Sequence, residues 1–495
     1  VSFNPAHWPL PGQLLLAFML GALGVLAYAP FGFGLVMLPA IALLLHLWRH
    51  SATPGANFWL GYAFGLGLMG FGVFWIRISI SQFGGVPMAL AVVITLLFVA
   101  FMALYYGLAG WLVGRLRSRN PVLWFVLLAP AAWVLVEWLR GWLFTGFPWL
   151  ALGYSQIDLP LNGFGPVLGS YGITLVLVAS AGLLNLLPRV GAIAALAVLW
   201  AAGFGLQQWT WTTPAAEPIR VSLLQGNIEQ AQKWQQSMRQ ITLQRYLDMT
   251  ESVPDSKIVI WPETAVPAFA DEAEAKLLAP LHERLTTQGR DVLLGIVAGD
   301  RQGDYYNAML SLGISGRDHY HKRHLVPFGE YLPFDEWTRP VLDFMQIPMS
   351  NFAAGGNGKP LVTLAGQPVG VDICYEDAYG EEIIRALPEA TLLVNASNDA
   401  WFGDSLAPHQ HLEIARMRSL ETGRYMMRST NTGVSAIIDD KGHIVSTSPQ
   451  FKQHVLTDDV VPMRGTTPFV YWGNWGVVTL AILLLLPGLF AQRSD

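Results

Sequence analysis

The chain predicts two joined architectures: a polytopic α-helical membrane domain of about eight transmembrane helices, and an α/β domain inserted before the last of them. Three observations carry that prediction. The 495 residues are 53% hydrophobic and only 13% charged, with mean hydropathy +0.39, too apolar for an ordinary soluble protein of this length. Charge is also unevenly placed. Residues 1–209 hold seven basic and two acidic side chains, leaving 23 of the 30 Lys and Arg and 33 of the 35 acids to the rest. Beyond residue 210, short β-rich runs alternate with helical stretches.

A helix rises about 1.5 Å per residue, so a bilayer core takes roughly 20 apolar residues to cross. The stretches that fit are 13–29, 33–47, 58–75, 88–113, 122–139, 164–187, 190–206 and 472–490. The second is short, and little more than Pro188-Arg189 separates the sixth from the seventh. The first reads as a retained span, because no basic run precedes it and Pro30 follows Ala27-Tyr28-Ala29, a poor cleavage site. With the N-terminus in the cytoplasm, Arg49, Arg115, Arg117, Arg119, Arg189 and Arg493 fall in inside loops, and only Arg77 and Arg140 outside. The positive-inside bias therefore sets the insert on the outer face. Gly61 and Gly65, four apart, read as helix packing within the membrane. Glu137 and Arg140, one turn apart, read as an interfacial pair, with a role in lipid access as the alternative.

The predicted organisation is a membrane domain with seven helices over 1–209, a soluble domain over 210–468, and an eighth helix with its tail over 469–495. In the insert, strands are expected at 219–224, 258–261, 292–297, 308–312, 369–373, 392–394, 435–438 and 454–456. Helices are expected at 237–252, 272–287, 380–387 and 409–426. Such alternation predicts α/β layers, with chemistry gathered where loops leave the carboxyl ends of strands.

Cys374 sits at such an end and is the only cysteine. A lone cysteine is ordinarily a small buried hydrophobe, and it has no partner for an intramolecular disulfide. Two further segments end in chargeable residues: Ile258 through Pro262 runs into Glu263, and His319-Tyr320-His321-Lys322 leads into Arg323-His324, a basic stretch. Singly, Glu263 reads equally well as a cap and Lys322 as part of a solvated face. Together they suit covalent acyl chemistry. A thiol needs a base or a positive setting to attack a carbonyl; Glu263 would supply the base. Lys322 would face the developing oxyanion, with the backbone N–H of Tyr375 as a second donor. No cofactor is expected, since no Gly-rich phosphate loop occurs. No metal is expected either, because His319, His321, His324, His409 and His411 lack neighbouring cysteines or HExxH spacing.

Around these residues stand Trp261-Pro262-Glu263-Thr264, a run from Lys322 through Leu325-Val326-Pro327-Phe328-Gly329-Glu330, and Ile373-Cys374-Tyr375-Glu376-Asp377. They resemble the Glu-Lys-Cys signature of the nitrilase (carbon–nitrogen hydrolase) superfamily. Asn395 through Gly403, and Phe147 through Gln156 in the membrane part, are similar to one membrane branch, the apolipoprotein N-acyltransferase family. The resemblance implies a nitrilase-like αββα sandwich in the periplasm of a bacterial inner-membrane protein. It implies a Cys374 thioester that takes an acyl chain from a phospholipid, typically phosphatidylethanolamine, and passes it to the α-amino group of a diacylglyceryl-cysteine lipoprotein. By the same resemblance Glu330 falls on a second acid near the thiol, and Trp234, Tyr375 and Glu376 match substrate-handling positions. Asp372 is polar where a small or apolar residue is expected.

Apolar residues in Pro/Gly-punctuated segments, Trp337, Phe344, Met345 and Phe352, are candidates for a lid that would shelter a thioester from water. Two rivals remain: a membrane-anchored amidase or nitrilase using the same triad, and a transporter or receptor with an inert sensor domain. The near-absence of charge in the spans argues against the second. No nucleic-acid partner is expected, and a monomer is the default.

Overall fold

The computed structural model describes residues 4–116, 118–299, 303–331 and 351–491. It divides into two compact units. The first holds Val1–Arg77, Met88–Trp209 and Tyr471–Asp495, and the second Ile78–Pro87 and Thr210–Val470.

The first unit is helical. All eight expected stretches form helices, but six are long and apolar enough to span a bilayer: Leu10–Ala27, Met88–Arg115, Leu123–Arg140, Pro160–Leu184, Val190–Gln207 and Pro468–Gly488. A seventh is counted if Pro54–Gly72 and Ile76–Phe83, bent by 55°, make one span. The remaining helix, Gly34–His50, falls short in length. The expected count of about eight is thus six or seven by length and composition. Gly61 and Gly65 do serve packing: a Cβ at Gly61 would stand 2.2 Å from Tyr106 O, and one at Gly65 would stand 2.9 Å from Ala103 Cα. Glu137 and Arg140 do not pair with each other. Glu137 accepts from Leu152 N at 2.9 Å and Thr174 Oγ1 at 2.7 Å, while Arg140 Nη1 donates to the carbonyls of Phe147 and Trp149, each at 2.7 Å. Each buried charge takes its hydrogen bonds from a different part of the chain, and Arg140 Nη2 is left buried without one.

The second unit is built on two six-stranded sheets. Strands β1–β14 run Thr212–Pro214, Ile219–Gln225, Ile258–Ile260, Asp291–Gly299, Tyr305–Gly313, Asp318–His321, Leu361–Leu364, Gln367–Ile373, Leu392–Ser397, Met426–Thr430, Ala436–Ile438, Ile444–Thr447, His454–Val460 and Met463–Gly465. The first sheet is ordered β13-β2-β3-β4-β5-β6, and the second β12-β11-β10-β9-β8-β7; β1 and β14 form a separate pair.

Alternation along the strands sorts residues between layers. Ile258, Ile260 and Leu293 of the first sheet join Val369, Val371, Ile373 and Val394 of the second in one core. Val259, Val292 and Leu294 turn the other way, onto Tyr246 and Met249 of helix Gln236–Glu251 and Leu281 and Leu285 of helix Ala279–Gln288. On the far side, Leu393, Met426 and Ile438 pack against Leu412 and Ala415 of helix Ala407–Thr422. The result is the expected helix–sheet–sheet–helix sandwich.

One expectation fails instructively. The helix expected over 409–426 stops at Thr422, because Gly423 takes a left-handed φ of 63° and ends it. Met426 then opens β10, a central strand parallel to β9.

Candidate active site

Three strand ends of the first sheet and one of the second supply the site. Glu263 lies just past β3, Asn307 in β5, and Lys322 immediately after β6. Lys322 Nζ stands 2.9 Å from Glu330 Oε1 and 3.7 Å from Glu263 Oε1. Asn307 Nδ2 bridges the same two carboxylates, donating to Glu263 Oε1 at 2.7 Å and Glu330 Oε1 at 2.9 Å. Glu330 is folded back by accepting from Val326 N at 2.8 Å. Glu263, Lys322 and Asn307 are buried. The second oxygen of Glu263, Oε2, is buried with no hydrogen-bond partner.

Burial alone would lower the Lys322 ammonium pKa, but Glu330 first, then Glu263 and Cys374, hold it well above the ordinary lysine range. Lys322 is therefore a fixed positive charge. Cys374 closes β8 and opens a 3-10 turn, Cys374–Ala378. Its φ is 54°, a left-handed conformation that costs a residue with a Cβ on the order of 1–3 kcal/mol and recurs at functional sites. Burial, then the Glu263 charge, push its thiol up, while Lys322 pulls it down. The thiol thus rests protonated, between a carboxylate and an ammonium.

Behind Cys374 lies a second polar cluster. Asp372, Asn395 and Arg428 stand side by side across β8, β9 and β10 and are all buried. Asn395 donates to Asp372, and Arg428 donates to Asn395. Arg428 also meets Asp377 Oδ2 at 3.3 Å and Asp399 Oδ2 at 2.9 Å. His411, from the covering helix, sits between Asp399 Oδ1 and Asp377 Oδ1, each at 2.9 Å. The polar Asp372 is accounted for: it faces this row rather than the apolar layer between the sheets.

The remaining expected residues fall at varied distances from this centre. Glu376 is wholly buried and takes four hydrogen bonds: from Tyr320 Oη at 2.8 Å, Arg323 N at 2.7 Å, His324 N at 3.0 Å and Ile373 N at 2.7 Å. It ties the Cys374 turn to the segment after Lys322. Tyr375 packs edge-on against Tyr379 and His324. Trp234 is 40% exposed. Its neighbour Lys233 is buried, donating to Glu263 O at 3.1 Å and Thr264 Oγ1 at 2.6 Å, and burial pulls its amine down to about 8. Phe352 packs on Tyr305 with ring centroids 5.0 Å apart. Trp337, Phe344 and Met345 lie outside the described residues.

Sequence reasoning passed over Asn307, Lys233 and Arg428, and met His411 only as a metal candidate. Lys233 had a signal, its place in Gln232-Lys233-Trp234; Arg428 lies just beyond the helix expected over 409–426, in a stretch where no strand was expected. Among the described residues, no group of three or more His, Cys, Asp or Glu is arranged to hold a metal ion.

Comparison with known proteins places both parts of the chain. Residues 20–183 match the family model described as the apolipoprotein N-acyltransferase N-terminal domain, and residues 220–467 match the carbon–nitrogen hydrolase family. The chain is 47% identical over 475 residues to an apolipoprotein N-acyltransferase of Methylococcus capsulatus, covering 94% of each. It is 45% identical over 492 residues to that of Nitrosomonas europaea, covering 97% of this chain and 98% of the other.

Proposed function

The chain belongs to the apolipoprotein N-acyltransferase family, multi-pass membrane enzymes of the carbon–nitrogen hydrolase superfamily that N-acylate lipoproteins with a phospholipid as donor, and from that premise we propose how its residues divide the reaction. Cys374 Sγ attacks the ester carbonyl of a phospholipid, phosphatidylethanolamine by preference. As the S–C bond forms, the thiol proton passes to Glu263 Oε2 and the carbonyl electrons move onto oxygen. Lys322 and the N–H of Tyr375 face that oxyanion. Collapse expels the glycerol oxygen, which takes the proton back from Glu263, and a lysophospholipid leaves.

In the second step the free α-amino group of a diacylglyceryl-cysteine lipoprotein attacks the thioester. Glu263 takes a proton from the amine, the C–S bond breaks, and the proton returns to sulfur. Glu330 and Asn307 hold Glu263 and Lys322 apart and in register, while Lys233 anchors the Glu263 backbone. Glu376 acts as a positioning residue, and Trp234 and Tyr375 meet the lipid substrates. The catalytic residues belong to an outward-facing domain over 210–468 of an inner-membrane protein, with both termini cytoplasmic.

The observation that carries this reading is the open Glu263 Oε2 in a cluster whose other carboxylate oxygens are bonded. The test is the intact mass of the purified protein after exposure to phosphatidylethanolamine vesicles. A hydroxylamine-labile acyl increment on Cys374, missing in Cys374→Ala and discharged by a diacylglyceryl-cysteine peptide, is expected. Discharge by water at the same rate overturns transfer; absence of any adduct overturns the nucleophile.

A further inference from the structure

The carbonyl of Cys374 is gripped from behind. Asn395 Nδ2 donates to it at 3.0 Å, and His411 Nε2 stands 3.2 Å from it. Both ring nitrogens of His411 meet acceptors: the Asp399 carboxylate at Nδ1, and the Asp377 carboxylate and this carbonyl at Nε2. A ring donating from both nitrogens is an imidazolium. Agreeing with the geometry, Asp377, Asp399 and the Asp377 hydrogen bond outweigh burial and Arg428 and bring its pKa up to about 9.

The peptide joining Cys374 to Tyr375 is planar, so its C=O and N–H point in opposite directions. Fixing the oxygen fixes the hydrogen. We propose that Asn395 and His411 are positioning residues for the oxyanion: by holding the Cys374 carbonyl they aim the Tyr375 N–H at the substrate oxygen. The proposal rests on the acyl-transfer reading above. It explains why an imidazolium and an arginine are buried behind a strained cysteine. The cluster sets the orientation of one peptide group, in a turn whose left-handed φ would otherwise relax. Charged groups face His411 from three elements: Asp377 in the Cys374 turn, Asp399 in the turn Asp399–Phe402, and Arg428 in β10.

The test compares two reactions of the same thiol in the full-length protein. Acylation by a p-nitrophenyl acyl ester passes through an oxyanion; alkylation by iodoacetamide does not. Losing an oriented oxyanion donor costs about 10²–10³ in rate. His411→Gln and Asn395→Ser are expected to slow acylation of Cys374 by about that factor while alkylation changes less than about threefold. In the unaltered protein, acylation should fall as pH rises through about 9 while alkylation does not, and the fall should vanish in His411→Gln. Parallel loss of both reactions would mean that the cluster merely holds the thiol in place, and would overturn the proposal; so would acylation that survives in either folded variant. If neither variant folds, the pH comparison on the unaltered protein decides. Failure of the unaltered protein to acylate at all strikes the acyl-transfer reading instead.

Discussion

The two sheets of the second unit each bring a buried charged cluster to Cys374, and the clusters differ in what they leave unpaired. Behind the thiol, both carboxylate oxygens of Asp377 and of Asp399 are engaged by His411 or Arg428, and the buried atom left open there, Arg428 Nε, is a donor. In front, Glu263 Oε2 and Asn307 Oδ1 are buried without partners. A buried polar atom without a partner costs about 1–3 kcal/mol, so folding alone does not favour keeping one. Charge and burial are common to both clusters. The kind of open atom separates them: a donor behind, and in front a carboxylate oxygen where a proton can land. The lesson is that a cluster whose carboxylate oxygens are all engaged orients, while one with an open carboxylate oxygen can take up a proton.

The sharpest way to break that distinction is to close the open atom. Glu263→Gln keeps the volume and the Asn307 and Lys322 neighbours but removes the base. General-base loss predicts a fall in single-turnover acyl transfer of about 10²–10⁴-fold, measured as the rate of thioester formation on Cys374. A fall below about tenfold would show that Oε2 does not take the thiol proton. Lys322→Met should cost about 10²–10³-fold by the same assay. Alkylation of Cys374 should also slow, because Lys322 pulls the thiol pKa down; that second effect distinguishes it from the rear-cluster variants.

Much of the front cluster was legible in sequence because its members sit at strand ends, where local signals are strong. Glu263 follows a buried strand and a proline, Lys322 heads a basic stretch, and Cys374 closes an apolar run. The rear cluster was not legible for a physical reason. Asp372, Asn395 and Arg428 become neighbours only through the pairing of β8, β9 and β10, which is non-local. Polar residues in central strands carry no signature until their register is known. The helix 409–426 was overextended for a related reason: apolar residues recur on through Tyr425, Met426 and Met427, and the left-handed Gly423 is what divides helix from strand. In the membrane part the apolar runs marked the helices themselves, whereas the different partners of Glu137 and Arg140 depend on tertiary contacts that spacing does not report.

The two clusters should also answer to pH with opposite signs. His411 is raised in the folded state to about 9 from 6.5. Its stabilisation is fully present below about 6.5 and is lost as pH rises through 9. Lys233 is lowered to about 8 from 10.5. Its buried amine therefore costs stability below about 8, and that cost is relieved as pH rises towards 10.5. Each shift amounts to on the order of 3 kcal/mol if fully expressed. Thermal unfolding midpoints measured from pH 6 to 10 should converge for the native chain and His411→Gln at the alkaline end. Lys233→Met should lack the alkaline gain that the native chain makes. Parallel curves for all three would mean that neither group carries the charge change assigned to it.

The smallest expected effect concerns the rim of the site. Phe352 is held by its backbone, donating to Glu330 O at 2.9 Å, while its ring lies edge-on to Tyr305. Truncation to alanine spares the backbone bond, and with it the Glu330 anchor of Lys322. What is lost is an edge-to-face contact worth about 0.5–1.5 kcal/mol. Phe352→Ala should therefore slow transfer from a long-chain phospholipid by about two- to tenfold, leaving acylation by a short soluble ester unchanged. A lid that shelters the thioester adds a second expectation: hydrolysis of the acyl-enzyme by water should rise in the same variant. Equal losses with both donors would move Phe352 from the rim into the support of Glu330, and unchanged transfer with unchanged hydrolysis would remove it from the lid.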